Sequence, residues 1–293
     1  MKRAIHYTQF GGTLFVPASH KNIQSIIKKE KYQHLRSLVI DFEDGLDADE
    51  LQNSFRKIEK AIKLCDETSP FIFIRPKDVN HLKEILTIEF IDKIDGFILP
   101  KFSLTNMQSY LDVLKDKNFY IMPSIEGSEL FDYEKLKEIQ KFLLTHKEKI
   151  LLVRFGLEDM LRQLSLKRGC EDSVFDLAVG NVVLGNFIAV FKSAGFAISG
   201  GVYPCFKDVE GFRADVLRDL KEGLFSKTII HPDQIELVDE LYKVNAQEYH
   251  EAQELLESKN AVFNQNDKMA ETHTMAEYAE FILTRAKVYG LKS

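Results

Sequence analysis

The sequence predicts an α/β protein in which eight strand–helix units close into a TIM-type (β/α)8 barrel, followed by a C-terminal helical extension. Two observations predict this fold. Short apolar runs alternate with longer amphipathic segments, and charged residues follow the runs where strands would pass into loops. The apolar runs are 13–16, 38–40, 71–74, 96–99, 120–122, 151–153, 197–198 and 228–230. We therefore expect the functional groups at the carboxyl edge of the barrel.

The segments between these runs carry apolar residues at helical spacing, with lysine and glutamate between them, as in helices that cover a parallel sheet. The clearest of them are 48–66, 132–147, 172–194 and 207–222. After the last run, Pro232 to about Leu256 predicts one more helix, 264–267 break the pattern, and 271–290 predict a final helix. We divide the chain into a barrel domain, 1–256, and an extension, 257–293, that serves as a packing brace, an oligomer arm or a lid.

Composition excludes several classes of function. The chain has 293 residues, of which 45% are hydrophobic, and a net charge of -6, which favours a globular protein with a small-molecule partner over a nucleic-acid-binding one. No apolar run has the length of a membrane span and no signal peptide is evident, so we expect a cytoplasmic protein without a membrane partner. The widely spaced Cys65, Cys170 and Cys205 predict reduced thiols rather than a disulfide or a zinc site.

Two carboxylates follow apolar runs at the predicted functional edge. Glu126 comes directly after the run that ends at Ile125, and Asp159 lies just beyond the run 150–154. Taken singly, each carboxylate is better explained as a helix N-cap or as a member of a surface salt bridge. Together they can hold one hard metal ion, and oxygen ligands without histidine or cysteine point to Mg²⁺ or Mn²⁺. A 2-oxo acid chelated to that ion would form a stabilised enolate.

Further charged residues follow three other runs. Asp41, Glu43 and Asp44 lie too close together in the sequence to be buried without cations, a metal or hydrogen-bond donors. The alternative is a solvated loop in which an aspartate caps the next helix. Arg75 follows the third run and suits a bidentate pair with a substrate carboxylate. Lys101 follows the fourth run, where it can bind substrate or pair with the acidic loop. A purely structural role is the alternative for both cations.

Seven short motifs occur in order along the chain. They are LFVP at 14–17, DFED at 41–44, LPK at 99–101, IE at 125–126, FGLED at 155–159, YPCFKDVEG at 203–211 and IHPDQI at 230–235. This order resembles the citrate lyase β-subunit-like branch of the HpcH/HpaI aldolase family, within the phosphoenolpyruvate/pyruvate TIM-barrel superfamily. The resemblance covers most of the chain.

The resemblance implies a Mg²⁺-dependent carbon–carbon lyase or aldolase that acts on a 2-oxo acid or a coenzyme A thioester. The implied metal ligands are Glu126 and Asp159, and Arg75 with Lys101 would bind the substrate. It also implies a homo-oligomer, a trimer or a hexamer, in which the C-terminal segment reaches over a neighbouring active site.

The implied catalytic residues are Arg75, Glu43, Asp44 and Glu271. Glu271 stands where related lyases have an aspartate, and it could still transfer a proton, although at altered reach. Gly12 and Thr13 stand where the family has Arg-Ser. Because of these departures, two alternatives remain: a metal-binding barrel without turnover that acts as a scaffold or partner in a multi-enzyme assembly, and a different enolate reaction such as phosphoenolpyruvate-dependent transfer.

Overall fold

Seven parallel strands form the inner layer of the fold in a computed structural model that describes residues 3–43, 48–170 and 172–292. The strands are β1 (Thr13–Pro17), β2 (Ser37–Asp41), β3 (Phe71–Arg75), β4 (Gly96–Leu99), β5 (Tyr120–Ile125), β6 (Arg154–Phe155) and β7 (Thr228–Ile229). Their order in the sheet is β6-β5-β4-β3-β2-β1-β7. Because successive strands from β1 to β6 are neighbours, the sheet curls steadily in one direction.

Residues 197–202 close the ring between β6 and β7. Isolated parallel bridges make this connection, at Val153–Ile198, Ser199–Phe225 and Val202–Thr228. The segment therefore occupies the place of an eighth strand, and the predicted TIM-type barrel is confirmed. The sixth strand is displaced from its predicted place, since the regular pairing with β5 falls at Arg154–Phe155 rather than at 151–153.

The barrel interior is filled by one apolar residue from most strands. The cluster consists of Phe10, Val39, Phe73, Ile98, Met122, Leu151 and Leu152. Phe10 precedes β1 and contacts the rings of Phe71 and Phe73 edge to face. The Ser37 hydroxyl donates a hydrogen bond to the Phe10 carbonyl, which fixes this residue at the amino end of the barrel. The functional groups of a TIM-type barrel are expected at the opposite, carboxyl end.

Helices follow the strands and cover the barrel. They are α1 (Ile23–Ile27), α2 (Ala48–Ile62), α3 (Val79–Ile85), α4 (Met107–Leu114), α5 (Tyr133–Leu144), α6 (Leu157–Gln163), α7 (Ala178–Ser193) and α8 (Val209–Lys221). Aspartates begin three of them: the side chains of Asp78, Asp132 and Asp208 accept backbone N–H groups of α3, α5 and α8. Among the described residues, no helix has both the length and the apolar character needed to cross a bilayer.

The chain divides into two compact units, 1–235 and 236–293. The second unit holds most of α9 (Gln234–Leu241), then α10 (Ala246–Glu257), an antiparallel hairpin of β8 (Val262–Gln265) and β9 (Lys268–Glu271), and α11 (Thr272–Tyr289). Its own apolar core includes Ala252, Leu255, Ala279 and Ile282. The buried Arg285 donates hydrogen bonds to the carbonyls of Tyr242 and Lys243, which the end of α9 leaves without helical partners.

Three features of this second unit differ from the sequence prediction. The single helix predicted for 232–256 is wrong, because the chain breaks at 242–245 into α9 and α10. The β8–β9 hairpin was not predicted, although Asn266 and Asp267 carry positive φ values of 51° and 61°, the backbone of a tight hairpin turn. The compact unit also begins before the predicted boundary at 256, because α10 shares its core with α11. A role of 257–293 as lid or oligomer arm stays a prediction.

The prediction that all three cysteines are reduced thiols is wrong for two of them. Cys170 and Cys205 form a disulfide with a Cα–Cα separation of 5.6 Å, whereas Cys65 is free and buried. Their separation of 35 residues in sequence gave no sign of a pair. The fold brings them together because the loop after α6 meets the loop before α8, where the Tyr203 hydroxyl also donates to the Cys170 carbonyl.

A buried lysine joins α8 to the strand edge of the barrel. Lys227 is fully buried, and its Nζ donates to Asp215 and, at 2.7 Å, to Asp219, both on α8. Ser173 donates a further hydrogen bond to Asp215 at 2.9 Å. Gly200 leaves room for this cluster, since a Cβ at that position would lie 2.4 Å from Asp219 Oδ2. The packing of α8 therefore depends on one lysine that donates to two buried carboxyl groups.

We expect Lys227→Met to destabilise the protein by about 3–5 kcal/mol, because it leaves two buried carboxylates without their cation. Burial raises the pKa of Asp219 to about 7. In the variant this carboxyl group can therefore be protonated at pH 5, and the loss of stability should be smaller at pH 5 than at pH 8. Urea unfolding at both pH values measures the effect. Lys221→Met removes an exposed lysine from the same helix and serves as the control. Equal stability of the two variants would contradict this account.

Candidate metal and substrate site

A cavity of about 470 Å³ opens at the carboxyl ends of the barrel strands. Its lining includes the charged residues Asp41, Arg75, Glu126, Arg154, Glu158 and Asp159. The sequence predicted that residues 41, 75, 126 and 159 would share one edge, and the fold brings these four together. The common direction of parallel strands explains this, because Asp41 and Arg75 end strands, Glu126 follows β5 directly, and Asp159 lies in the first turn of α6, the helix that follows β6.

Glu126 and Asp159 form a coupled pair of carboxyl groups. Glu126 follows β5 and is 5% exposed, and a hydrogen bond joins its carboxyl group to that of Asp159. Gly156 permits this approach, since a Cβ there would lie 2.1 Å from the Cβ of Glu126. The backbone N–H of Lys101 donates to Glu126 Oε1. Lys101 has a φ of 48°, a strained value for a residue with a side chain, so the loop is held in the conformation that directs this N–H at the carboxylate.

The two carboxyl groups have different proton affinities. Burial raises the pKa of Glu126 to about 8, and the negative charge of Glu43 adds to the rise. Burial acts to raise the pKa of Asp159 as well, but hydrogen bonds from Arg162 and Glu126 outweigh it and lower that pKa overall. Near neutral pH, a protonated Glu126 therefore donates to an ionised Asp159. A carboxyl pair that shares a proton is a site where a divalent cation can replace the proton.

The donor set fits a hard cation. Among the described residues, no group of three or more His, Cys, Asp and Glu side chains could hold a metal ion, so Glu126 and Asp159 would supply two oxygen ligands and leave the remaining positions to water and substrate. Glu126 is not a helix N-cap, because Gly127 is the N-cap of the next helical turn. It is not a surface residue either, because it is buried. Asp159 does form the predicted kind of salt bridge, to Arg162 at 2.5 Å.

The acidic loop is neutralised by the two predicted cations. The strand register places Asp41 beside Arg75, and the Arg75 guanidinium donates to Asp41 at 2.7 and 2.5 Å. Arg75 Nη1 also lies 2.8 Å from Glu43, and Lys101 Nζ lies 2.7 Å from the other oxygen of Glu43. The hydrogen bond with Glu43 raises the pKa of Lys101. Asp41 and Glu43 are thus buried members of an ion network rather than parts of a solvated cap, and Arg75 already binds protein carboxylates. Asp44 lies outside the described residues.

Arg154 is a site residue that the sequence analysis missed. It begins β6, is 6% exposed, and donates through Nη2 to Thr228 Oγ1 at 2.6 Å. Its guanidinium carbon lies 5.1 Å from the centre of the Phe15 ring, on which Arg75 also stacks at 5.3 Å. An arginine within the apolar run 151–155 was the available signal, since a charged side chain in a barrel strand is buried only where a partner or a ligand stabilises it.

Glu271, the remaining predicted residue, lies in the second unit, where it ends β9 and precedes α11. Its Oε2 accepts a hydrogen bond from the Thr274 hydroxyl at 2.9 Å. The residue is half-buried, so its carboxylate keeps access to solvent. A role for Glu271 in acid–base transfer stays a prediction.

Known proteins share this fold over nearly the full chain. A citrate lyase from Burkholderia xenovorans LB400 has a TM-score of 0.74 at 15% identity, and the match covers 97% of this chain and 93% of that one. CitE from Mycobacterium tuberculosis, in complex with magnesium, acetoacetate and coenzyme A, has a TM-score of 0.69 at 17% identity and covers 94% of this chain and 98% of its own. These structures confirm the TIM-barrel fold.

Sequence comparison agrees with the structural one. The (3S)-malyl-CoA thioesterase of Cereibacter sphaeroides strain ATCC 17025 is 22% identical over 242 residues, which cover 82% of this chain and 79% of that protein. The resemblance of the seven ordered motifs to citrate lyase β-subunit-like proteins is confirmed by a family model that spans both compact units. The chain belongs to the C–C bond lyases of the TIM-barrel fold, whose family model matches residues 4–291.

Proposed function

We propose that the protein is a Mg²⁺-dependent carbon–carbon lyase or aldolase that acts on a 2-oxo acid or an acyl-coenzyme A substrate. The observation that carries this proposal is the buried, proton-sharing pair Glu126–Asp159 at the carboxyl edge of a barrel whose family consists of C–C bond lyases. CitE from M. tuberculosis, which shares the fold, has been crystallised with magnesium, acetoacetate and coenzyme A. Mn²⁺ is expected to replace Mg²⁺, since both prefer oxygen ligands.

The residues of the site have different roles in this reaction. Glu126 and Asp159 hold the cation, which when bound supplies positive charge to stabilise an enolate oxygen. Arg75 holds Asp41 and Glu43 in place through its ion pairs, and its cation remains within the cavity. Apolar walls from Phe15, Phe155 and other lining residues limit the access of water to a reactive enolate.

Cleavage also requires a proton acceptor and a proton donor. In the lyase direction a base removes the proton of a hydroxyl group, the electrons of the carbon–carbon bond pass to the carbon beside the carbonyl group, and that carbon is then protonated. We assign this proton transfer to Glu271, whose solvent access and free carboxylate oxygen suit it. Glu43 is a poor base by comparison, because two cations stabilise its ionised form. Asp44 remains a candidate.

Thioester hydrolysis is a second candidate function, because a curated relative over 82% of the chain is a (3S)-malyl-CoA thioesterase. The two reactions differ in their products. A lyase yields a carbonyl fragment and an acyl-coenzyme A or an oxo acid, whereas a thioesterase yields free coenzyme A with the carbon skeleton intact. Assay of free thiol and of carbonyl products from the same acyl-coenzyme A panel therefore separates them.

We expect Glu126→Gln and Asp159→Asn each to lower Mg²⁺ affinity and turnover by more than about 100-fold, since even outer-shell partners of a metal contribute 10–100-fold. Calorimetric titration and a substrate panel of oxo acids and acyl-coenzyme A compounds measure the two effects. Glu134→Gln removes an exposed carboxylate on α5 and is the control. Unchanged turnover in both site variants would refute the lyase proposal. Intact metal binding with no turnover of any substrate would instead favour the scaffold alternative.

The affinity for Mg²⁺ should depend on pH. The pKa of Glu126 is raised to about 8, so the cation must displace a proton at pH 6 or 7 and no longer does so above pH 8. The apparent dissociation constant should fall by about tenfold per pH unit from pH 6 to 8 and then level off. Titrations in buffers with different ionisation enthalpies measure the released proton directly. A pH-independent affinity in the wild type would show that Glu126 binds the cation without losing a proton.

Glu271→Gln should lower turnover and leave Mg²⁺ affinity unchanged, because Glu271 is assigned to proton transfer and not to the cation. Glu271→Asp, which restores the shorter side chain found in related lyases, should recover part of the activity. Steady-state kinetics and calorimetry on the full-length variants test this assignment. Full turnover in Glu271→Gln would assign the proton transfer to another residue.

A further inference from the structure

Arg154 has an unusual position for a buried arginine. It lines the cavity, is 6% exposed, and uses Nη2 for a hydrogen bond to the Thr228 hydroxyl at 2.6 Å. Its Nη1 is buried and has no hydrogen-bond partner among the described residues. A buried guanidinium nitrogen without a partner is costly, because the protein removes its water and replaces it with nothing. A ligand oxygen that reaches that nitrogen recovers the cost.

The charge of Arg154 is also uncompensated. Among the described residues, no carboxylate oxygen lies within 4.0 Å of its guanidinium, whereas Arg75 pairs with both Asp41 and Glu43. Burial lowers the pKa of Arg154 to about 9, and the positive charge of Arg75 lowers it further. Arg154 remains a cation at neutral pH, and a bound anion would stabilise its buried charge.

Arg154 and the predicted metal ligands belong to one cavity. Glu126 is near enough that its ionised form would act on Arg154, and the Phe15 ring lies against both the Arg154 and the Arg75 guanidinium groups. An anion at Arg154 would therefore lie beside the Glu126–Asp159 pair. A planar carboxylate matches the two-nitrogen geometry of a guanidinium better than a spherical anion does.

We propose that Arg154 binds the substrate carboxylate, and that Arg75, to which the sequence analysis assigned this role, is a positioning residue for Asp41 and Glu43. The inference rests on the proposed function, which supplies a carboxylate-bearing substrate. It deepens that function by naming the residue that selects an acid over its neutral analogue. Arg75 forms three contacts with protein carboxylates, whereas Arg154 Nη1 has no partner in the part of the chain that the structure describes.

The test uses two probes of nearly equal shape, pyruvate and its neutral amide pyruvamide. Each is titrated into full-length wild type, Arg154→Met and Arg154→Lys, with and without Mg²⁺. We expect Arg154→Met to weaken pyruvate binding by about 30-fold or more, the loss typical of a truncated buried charge pair. Pyruvamide binding should change little, so the preference for the acid should fall at least tenfold. Arg154→Lys keeps the cation without the planar pair of donors, and should restore part of the preference.

Controls separate this inference from the metal site. Arg213→Met removes one exposed arginine of α8 and should leave both probes unaffected. Mg²⁺ titration should give the same affinity in Arg154→Met as in wild type, whereas Glu126→Gln should lose Mg²⁺ but keep the metal-free preference for pyruvate over pyruvamide. If the protein does not bind Mg²⁺ at the predicted site, the effect of the Arg154 substitutions on the preference for pyruvate can therefore still be measured.

Three results would overturn the assignment. The first is an equal loss of pyruvate and pyruvamide affinity in Arg154→Met, which would indicate a purely structural role. The second is an unchanged pyruvate affinity in that variant. The third is a wild-type protein that does not bind pyruvate. A preference for pyruvate that falls in Arg154→Met and partly returns in Arg154→Lys would support it.

Discussion

A charge buried in a protein must be paired, protonated or bound to a ligand, and this constraint organises the carboxyl edge of the barrel. Asp41 and Glu43 meet it with Arg75 and Lys101. The Glu126–Asp159 pair is different, because no Lys or Arg side chain among the described residues forms an ion pair with Glu126, and the pair meets the constraint by sharing a proton. Because a shared proton and not a cation stabilises this pair, a metal ion can bind there in place of the proton.

The same constraint distinguishes stability from function within this fold. Lys227 and its two aspartates form a closed cluster in which every charge has a partner, so the cluster anchors α8 and offers nothing to a ligand. At the cavity, by contrast, Glu126 carries a raised pKa and Arg154 an unpartnered nitrogen. Buried polar groups that the protein leaves incomplete are the ones we associate with chemistry.

The sequence predicted most of the fold because the strand–helix alternation has a clear period and the parallel strands present their ends at one edge. It predicted Glu126, Asp159, Arg75 and Lys101 at that edge for the same reason. It could not predict that Arg75 is occupied by Asp41 and Glu43, since this depends on the strand register. Nor could it pair Cys170 with Cys205, because spacing along the chain carries no information on which loops meet.

The central claim is that Glu126 and Asp159 form one divalent-cation site. The most direct measurement is the anomalous scattering of Mn²⁺ in crystals of the protein soaked with that ion. The account predicts one strong peak in the cavity, with a carboxylate oxygen from Glu126 and one from Asp159 among its ligands. A peak elsewhere, or none at this pair at a pH above the raised pKa of Glu126, would contradict it.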